Sequence, residues 1–183
     1  AAVDGAMIAK MRNGGAACTA ANRFYVHTQV LDEFTSKFVK RMSALVVGDG
    51  MAEATTLGPL VSAVQQSRVS SLVERAITEG ATALCGASAT PAPMHGYAAT
   101  VLVGVQQHHS IVQQEVFGPV APIIEVQDIE ESIPFFNGVD QAMKCRSIID
   151  AFEFEKTSRL LIVFLVVFSV YDSHNTSDGS AIF

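Results

Sequence analysis

No stretch of the 183 residues is both long and apolar enough to span a bilayer as a helix. The longest apolar run, Leu160 to Val170, holds 11 residues where about 20 are needed. Positive charge is scarce as well. Twelve Lys and Arg against 18 Asp and Glu leave a net charge of −6 and a pI near 5.3, which argues against a nucleic-acid surface. Cysteine is limited to Cys18, Cys85 and Cys145. An odd number at wide spacing suits free thiols in a reducing compartment better than a disulfide framework, so a cytoplasmic protein is expected. His95, His108 and His109 do not fall with Cys85 into a usual zinc spacing, and the adjacent histidines are expected on a solvated loop. Neither a Gly-x-Ser-x-Gly elbow nor a phosphate-binding loop occurs, and no internal repeat is visible. Residues 1 to 11 are Ala-rich with a single lysine and lack the pattern of a secretory leader.

What is present reads as one globular α/β domain. Hydrophobic residues make up 49% of the chain and charged residues 16%, and the length suffices for one real core. Val3 to Met11 reads as the end of a helix, and Arg23 to His27 as a short strand. From Val30 to Leu45, apolar Val30, Leu31, Phe34, Phe38, Val39 and Met42 recur near helical spacing, with Lys37, Lys40 and Arg41 toward the carboxyl end where cations are favoured. Ser62 to Glu79 places Val64, Val69, Leu72, Val73, Ala76 and Ile77 mostly on one helical face, and Gly80 ends it. Ala81 to Cys85, Thr100 to Val105 and Ala121 to Val126 read as strands, with Cys85 in the core and a Gly/Ala/Ser/Pro-rich loop over residues 86 to 98. This alternation predicts a layered sheet with flanking helices, at least partly parallel.

Cys18 closes the run Arg12-Asn13-Gly14-Gly15-Ala16-Ala17-Cys18 ahead of a β-rich stretch. A thiolate nucleophile must be stabilised and reachable. Gly14 and Gly15 let the main chain take conformations closed to residues with a Cβ, and Ala16 and Ala17 leave the approach open. By itself this is also what a small buried cysteine looks like.

Residues Met11 to Val26 as a block resemble the catalytic-cysteine segment of the aldehyde dehydrogenase superfamily, most closely its succinate-semialdehyde dehydrogenase branch. Glu115-Val116-Phe117-Gly118-Pro119-Val120 resembles the family's Glu-x-Phe-Gly-Pro signature, at the interval from Cys18 that the family shows. Val47-Gly48-Asp49-Gly50, Leu57-Gly58-Pro59-Leu60 and Ala99-Thr100-Val101-Leu102 fall between them in the family's order. The likeness covers roughly residues 1 to 133, read as part of the cysteine-bearing catalytic domain; residues 134 to 183 are read as a divergent tail.

The resemblance implies NAD- or NADP-dependent oxidation of a small-molecule aldehyde, succinic semialdehyde in this branch, to the acid through a cysteine thiohemiacetal and a thioester. It implies that Cys18 is the nucleophile and its N–H an oxyanion donor, that Glu115 accepts hydrogen bonds from the nicotinamide ribose hydroxyls, and that Phe117 packs near the same cofactor end. Arg12 corresponds to the arginine that pairs with the far carboxylate of the substrate, a task suited to a planar guanidinium; a surface charge or a cation closing a helix is its other reading. Full-length relatives are homo-oligomers, and neither nucleic acid, membrane nor metal is an expected partner. Ala16-Ala17-Cys18 stands where relatives carry Gln-x-Cys, Ala20 where the branch often has a second cysteine, and Gln114 where a first glutamate is usual. The family's dinucleotide-binding half, oxyanion asparagine and water-activating glutamate have no counterpart here. A partial catalytic domain is therefore expected, whose alternative is a non-catalytic remnant or interaction protein. The apolar run in the tail reads as sequence foreign to the fold, a buried strand or a membrane-associated segment.

Overall fold

In the computed structural model, residues 1–91 and 94–127 are described. Asp128, Glu130 and Glu131, which in sequence read as a short acidic run at a solvated helix start, lie outside them, as do Cys145 and the apolar stretch Leu160 to Val170. Two long helices owe their packing to side-chain spacing. In α2 (Thr28–Ser43) the buried Phe34, Phe38 and Met42 repeat every fourth position, which keeps them on one face. His27 caps it by accepting from the Gln29 N–H, and Lys40 and Arg41 occupy the last turn. In α3 (Ala63–Thr78) Val69, Leu72, Val73 and Ala76 form the buried stripe, and the Ser62 hydroxyl accepts from the Gln65 N–H at 3.2 Å. Val64 and Ile77 depart from the face expected for them, being 79% and 44% exposed. At about 100° per residue, Val64 falls on the side opposite the stripe and Ile77 at its margin. Gly80, at φ +113°, turns the chain out of α3.

Preceding α2 are α1 (Ala2–Met11), a tight 3-10 turn (Arg12–Gly15) and β1 (Phe24–His27). Following α3 come β2 (Thr82–Cys85), β3 (Thr100–Val103), the single turn α4 (Ser110–Gln113) and β4 (Val120–Val126). The sheet runs β1-β4-β3-β2. β4 pairs parallel to β1 through Phe24 opposite Ile123 and parallel to β3 through Thr100 opposite Val120; β2 joins β3 antiparallel, with an irregularity between Ala83 and Cys85. The expected layered, partly parallel α/β sheet is what forms.

Alternation along the strands divides the core in two. Tyr25, Leu102, Val120 and Ile124 face a cluster with α3 and α4 that includes Val69, Leu72, Val73 and Ile111. Phe24, Val26, Val101, Ala121 and Ile123 face the other side, against Ala6 of α1 and Phe34, Phe38 and Met42 of α2. The rings of Phe24, Phe34 and Phe38 pack together there, with centroids 5.4 to 6.5 Å apart. Two readings of single residues need correction. His109 is buried while His108 is exposed, because His109 opens α4 and its Nδ1 takes the Gln106 N–H at 3.4 Å. Cys85 is half-buried on an outer strand rather than enclosed, its thiol 3.6 Å from the Ala99 carbonyl oxygen.

Candidate active site

The loop that bears Cys18 enters the amino end of β1, and the loop that bears Glu115 enters the amino end of β4. Since β1 and β4 are parallel neighbours, their entering loops meet at the same end of the sheet. Doubly wound open sheets more often bind ligands at carboxyl ends, so this placement follows from the two loops and not from that rule.

The local conformation of the first loop follows from its small residues. Asn13, Gly14 and Gly15 all have left-handed backbones, with φ of 49°, 62° and 79°. Asparagine tolerates that region better than most residues and glycine adopts it freely. Asn13 closes the turn twice: its carbonyl accepts from the Ala16 N–H at 3.0 Å, and its side-chain amide donates to the Ala16 carbonyl at 2.8 Å. Gly15 has a second reason to be glycine. A Cβ there would stand 2.2 Å from the Gly118 carbonyl oxygen, so the cysteine loop rests directly on the backbone of the Glu-Val-Phe-Gly-Pro loop.

Beyond the turn, Cys18 is exposed and the chain then dives into the core. Lys10, at 1% exposure, lies under this segment. Its ammonium donates to the Ala21 carbonyl at 2.9 Å, and the Ala21 N–H returns to the Ala9 carbonyl at 2.9 Å. Burial pushes the Lys10 ammonium down to about 7, with the Glu115 charge opposing the shift. Arg23, also buried, donates to the Val112 carbonyl at 2.8 Å, and burial lowers its pKa.

Three side chains hold the second loop by its backbone. The Asn22 amide donates to the Gln114 carbonyl at 3.1 Å while its oxygen accepts from the Val116 N–H at 3.0 Å, bracketing Glu115. From α3, Gln65 donates to the Val116 and Phe117 carbonyls at 3.2 and 3.0 Å, and Arg68 to the Glu115 carbonyl at 2.6 Å. Glu115 and Phe117 are each half-buried, and Phe117 has the left-handed φ of 49°, a conformation that costs on the order of 1–3 kcal/mol and needs surrounding support.

Of the residues singled out from sequence, the structure thus brings the loops of Cys18, Glu115 and Phe117 into backbone contact. Arg12 is exposed at the head of the turn and, among the described residues, makes no hydrogen bond or ion pair. Gln114, at the unusual position beside Glu115, serves through its carbonyl. Lys10, Asn22, Gln65 and Arg68 are additions from the structure. Gln65 and Arg68 are three apart on one helix, a spacing that puts both on one side, but nothing local says what that side meets. Among the described residues no group of three or more His, Cys, Asp and Glu gathers as metal ligands, and no helix is long and apolar enough to cross a membrane.

Several known proteins resemble this chain over about three quarters of its length. A family model described as "Aldehyde dehydrogenase family" matches residues 1–147. A succinate-semialdehyde dehydrogenase of Paenarthrobacter nicotinovorans is 42% identical over 142 residues, covering 78% of this chain and 32% of that protein. An NADP(+) succinate-semialdehyde dehydrogenase of Mycobacterium avium (strain 104) is 39% identical over 136 residues, covering 74% and 29%. Among solved structures, succinate-semialdehyde dehydrogenase from Burkholderia pseudomallei superposes with a TM-score of 0.72 at 35% identity, over 75% of this chain and 28% of that one. An NAD+ complex of aldehyde dehydrogenase from Bacillus cereus gives 0.70 at 34%, over 73% and 27%. The chain spans about a third of the length of the curated relatives it matches.

Proposed function

This chain belongs to the aldehyde dehydrogenase family, and from that premise we propose that its described residues form the cysteine side of an active site that oxidises an aldehyde to an acid. The observation that carries the reading is the seat of Gly15 on Gly118, which brings the exposed Cys18 loop against the Glu115 loop.

In this reading the Cys18 thiolate adds to the aldehyde carbonyl carbon, and the Cys18 N–H donates to the oxyanion that forms. An aimed donor of this kind is worth on the order of 3 kcal/mol of barrier. Arg12, exposed in the same turn, pairs with a carboxylate at the far end of the substrate. That makes a semialdehyde of a dicarboxylic acid the favoured substrate class, and the names of the relatives from Paenarthrobacter and Mycobacterium support succinic semialdehyde.

The residues present suit one end of a nicotinamide dinucleotide, NAD or NADP. Glu115 offers an acceptor for ribose hydroxyls, its backbone held by Asn22 and Arg68. The Phe117 ring, half-buried on a strained but supported backbone, offers an apolar wall beside it. When bound, the dinucleotide supplies the hydride acceptor that turns the tetrahedral adduct into a thioester for hydrolysis.

Competitive alkylation of the native chain tests the nucleophile. Under limiting iodoacetamide at neutral pH, Cys18 is expected to react ahead of Cys85 and Cys145, with the sites of addition read by mass spectrometry. Equal labelling of all three would remove Cys18 from the mechanism. Reduced-cofactor absorbance with succinic semialdehyde and either nucleotide tests turnover; the 183-residue chain alone is expected to give no sustained increase, and any that it gives must vanish in Cys18→Ala.

A further inference from the structure

Asn22 lies four positions beyond Cys18, on the stretch that leads into β1, and its carboxamide reaches across to a loop more than 90 positions away. Both ends of the amide are used. The nitrogen donates to the carbonyl just before Glu115, and the oxygen accepts from the N–H just after it. A residue gripped on both flanking peptide units has little freedom to move relative to the group that grips it. Gln65 and Arg68 also hold this loop, but they come from α3 and fix it to the helix. Only Asn22, among the side chains described as bonded to the loop's backbone, belongs to the nucleophile segment.

We propose that Asn22 is a positioning residue that locks Glu115 to the Cys18 segment, so that the carboxylate and the sulfur keep a fixed separation. The inference rests on the proposed roles of those two residues. It goes beyond them in assigning their spacing to one amide. The chemistry is specific to a carboxamide: aspartate keeps an acceptor for the Val116 N–H but has no donor for the Gln114 carbonyl, while leucine, of similar volume, has neither. Nine-tenths burial of Asn22 makes the loss count, since an abandoned buried polar group is not rehydrated freely.

The test uses the full 183-residue chain with Cys85 and Cys145 changed to serine and a nitroxide attached at Cys18. Amide spectra report the broadening of Glu115 and Val116 by the label, and hydrogen exchange reports the Val116 N–H. In Asn22→Leu, exchange at Val116 is expected to accelerate by about tenfold, and broadening at Glu115 to change, while amides of β1 and β2 keep their positions. Asn22→Asp is expected to preserve Val116 protection and to shift only the Glu115 side. Should Asn22→Leu fail to fold, the Asn22→Asp spectrum decides alone, and an unchanged Glu115 broadening in it overturns the inference. A merely stabilising asparagine would lower the melting temperature and leave broadening and exchange as in the parent, which also overturns it. None of these signals reads thiol reactivity, so they fail or succeed independently of the alkylation experiment.

Discussion

Lys10 carries its ammonium inside the protein with a carbonyl for a partner, a placement that makes stability depend on pH. Burial holds it at about 7 in the folded chain, against about 10.4 for a free lysine. Between those values the unfolded chain binds a proton that the native chain lacks, so stability rises with pH across the window and is flat below it. The span is worth on the order of 5 kcal/mol. Chemical denaturation from pH 6 to 10 should therefore show the parent gaining stability relative to Lys10→Met, and parallel curves would place the ammonium in water. Nothing in the sequence marks Lys10 for this. It reads as the lone cation near the end of an Ala-rich helix, and its burial depends on the later residue Ala21 and on the Gly15 loop folding over it.

At the scale of elements, the fit between α2 and the sheet is the part most dependent on shape. Phe38 is fully buried between Phe24 and Phe34, with its ring 5.4 Å from both. Phe38→Ala should cost about 3–5 kcal/mol, measured as a fall in denaturation midpoint with an unchanged slope. The spacing of Phe34, Phe38 and Met42 made this helix and its buried face legible in advance, as the Gly80 stop did for the end of α3. Val64 departs from the expected face for a definable reason: an apolar residue one turn outside the stripe looks like part of it unless the angle is followed. His109 could not be read from its neighbours, because its burial comes from α4 starting at that residue. The loops of Cys18 and Glu115 were legible through short motifs in family order, whereas the amides and guanidinium that hold them were not, since a polar residue gives no sign of a partner some fifty to ninety positions away.

For the whole molecule, the contact of Gly15 with Gly118 closes the sheet end across two loops far apart in sequence. Gly15→Ala meets both a positive φ and a carbonyl oxygen at 2.2 Å. The backbone conformation alone costs about 1–3 kcal/mol, and relief of the clash requires the loops to part. The variant should melt at lower temperature and lose any preferential alkylation of Cys18; retention of both properties would mean that the loops do not rest on each other. β4 is the strand that makes this closure, pairing with β1 on one side and β3 on the other. During synthesis it leaves the ribosome after every other described strand, and until it arrives β1 has no neighbour among the described strands and the β2-β3 hairpin stands apart. The Cys18 loop is consequently made early, and its contact with the Glu115 loop is a late, long-range event of the kind that slows folding. The meeting of the Cys18 and Glu115 loops thus waits for the close of assembly, when the central strand slides into its slot.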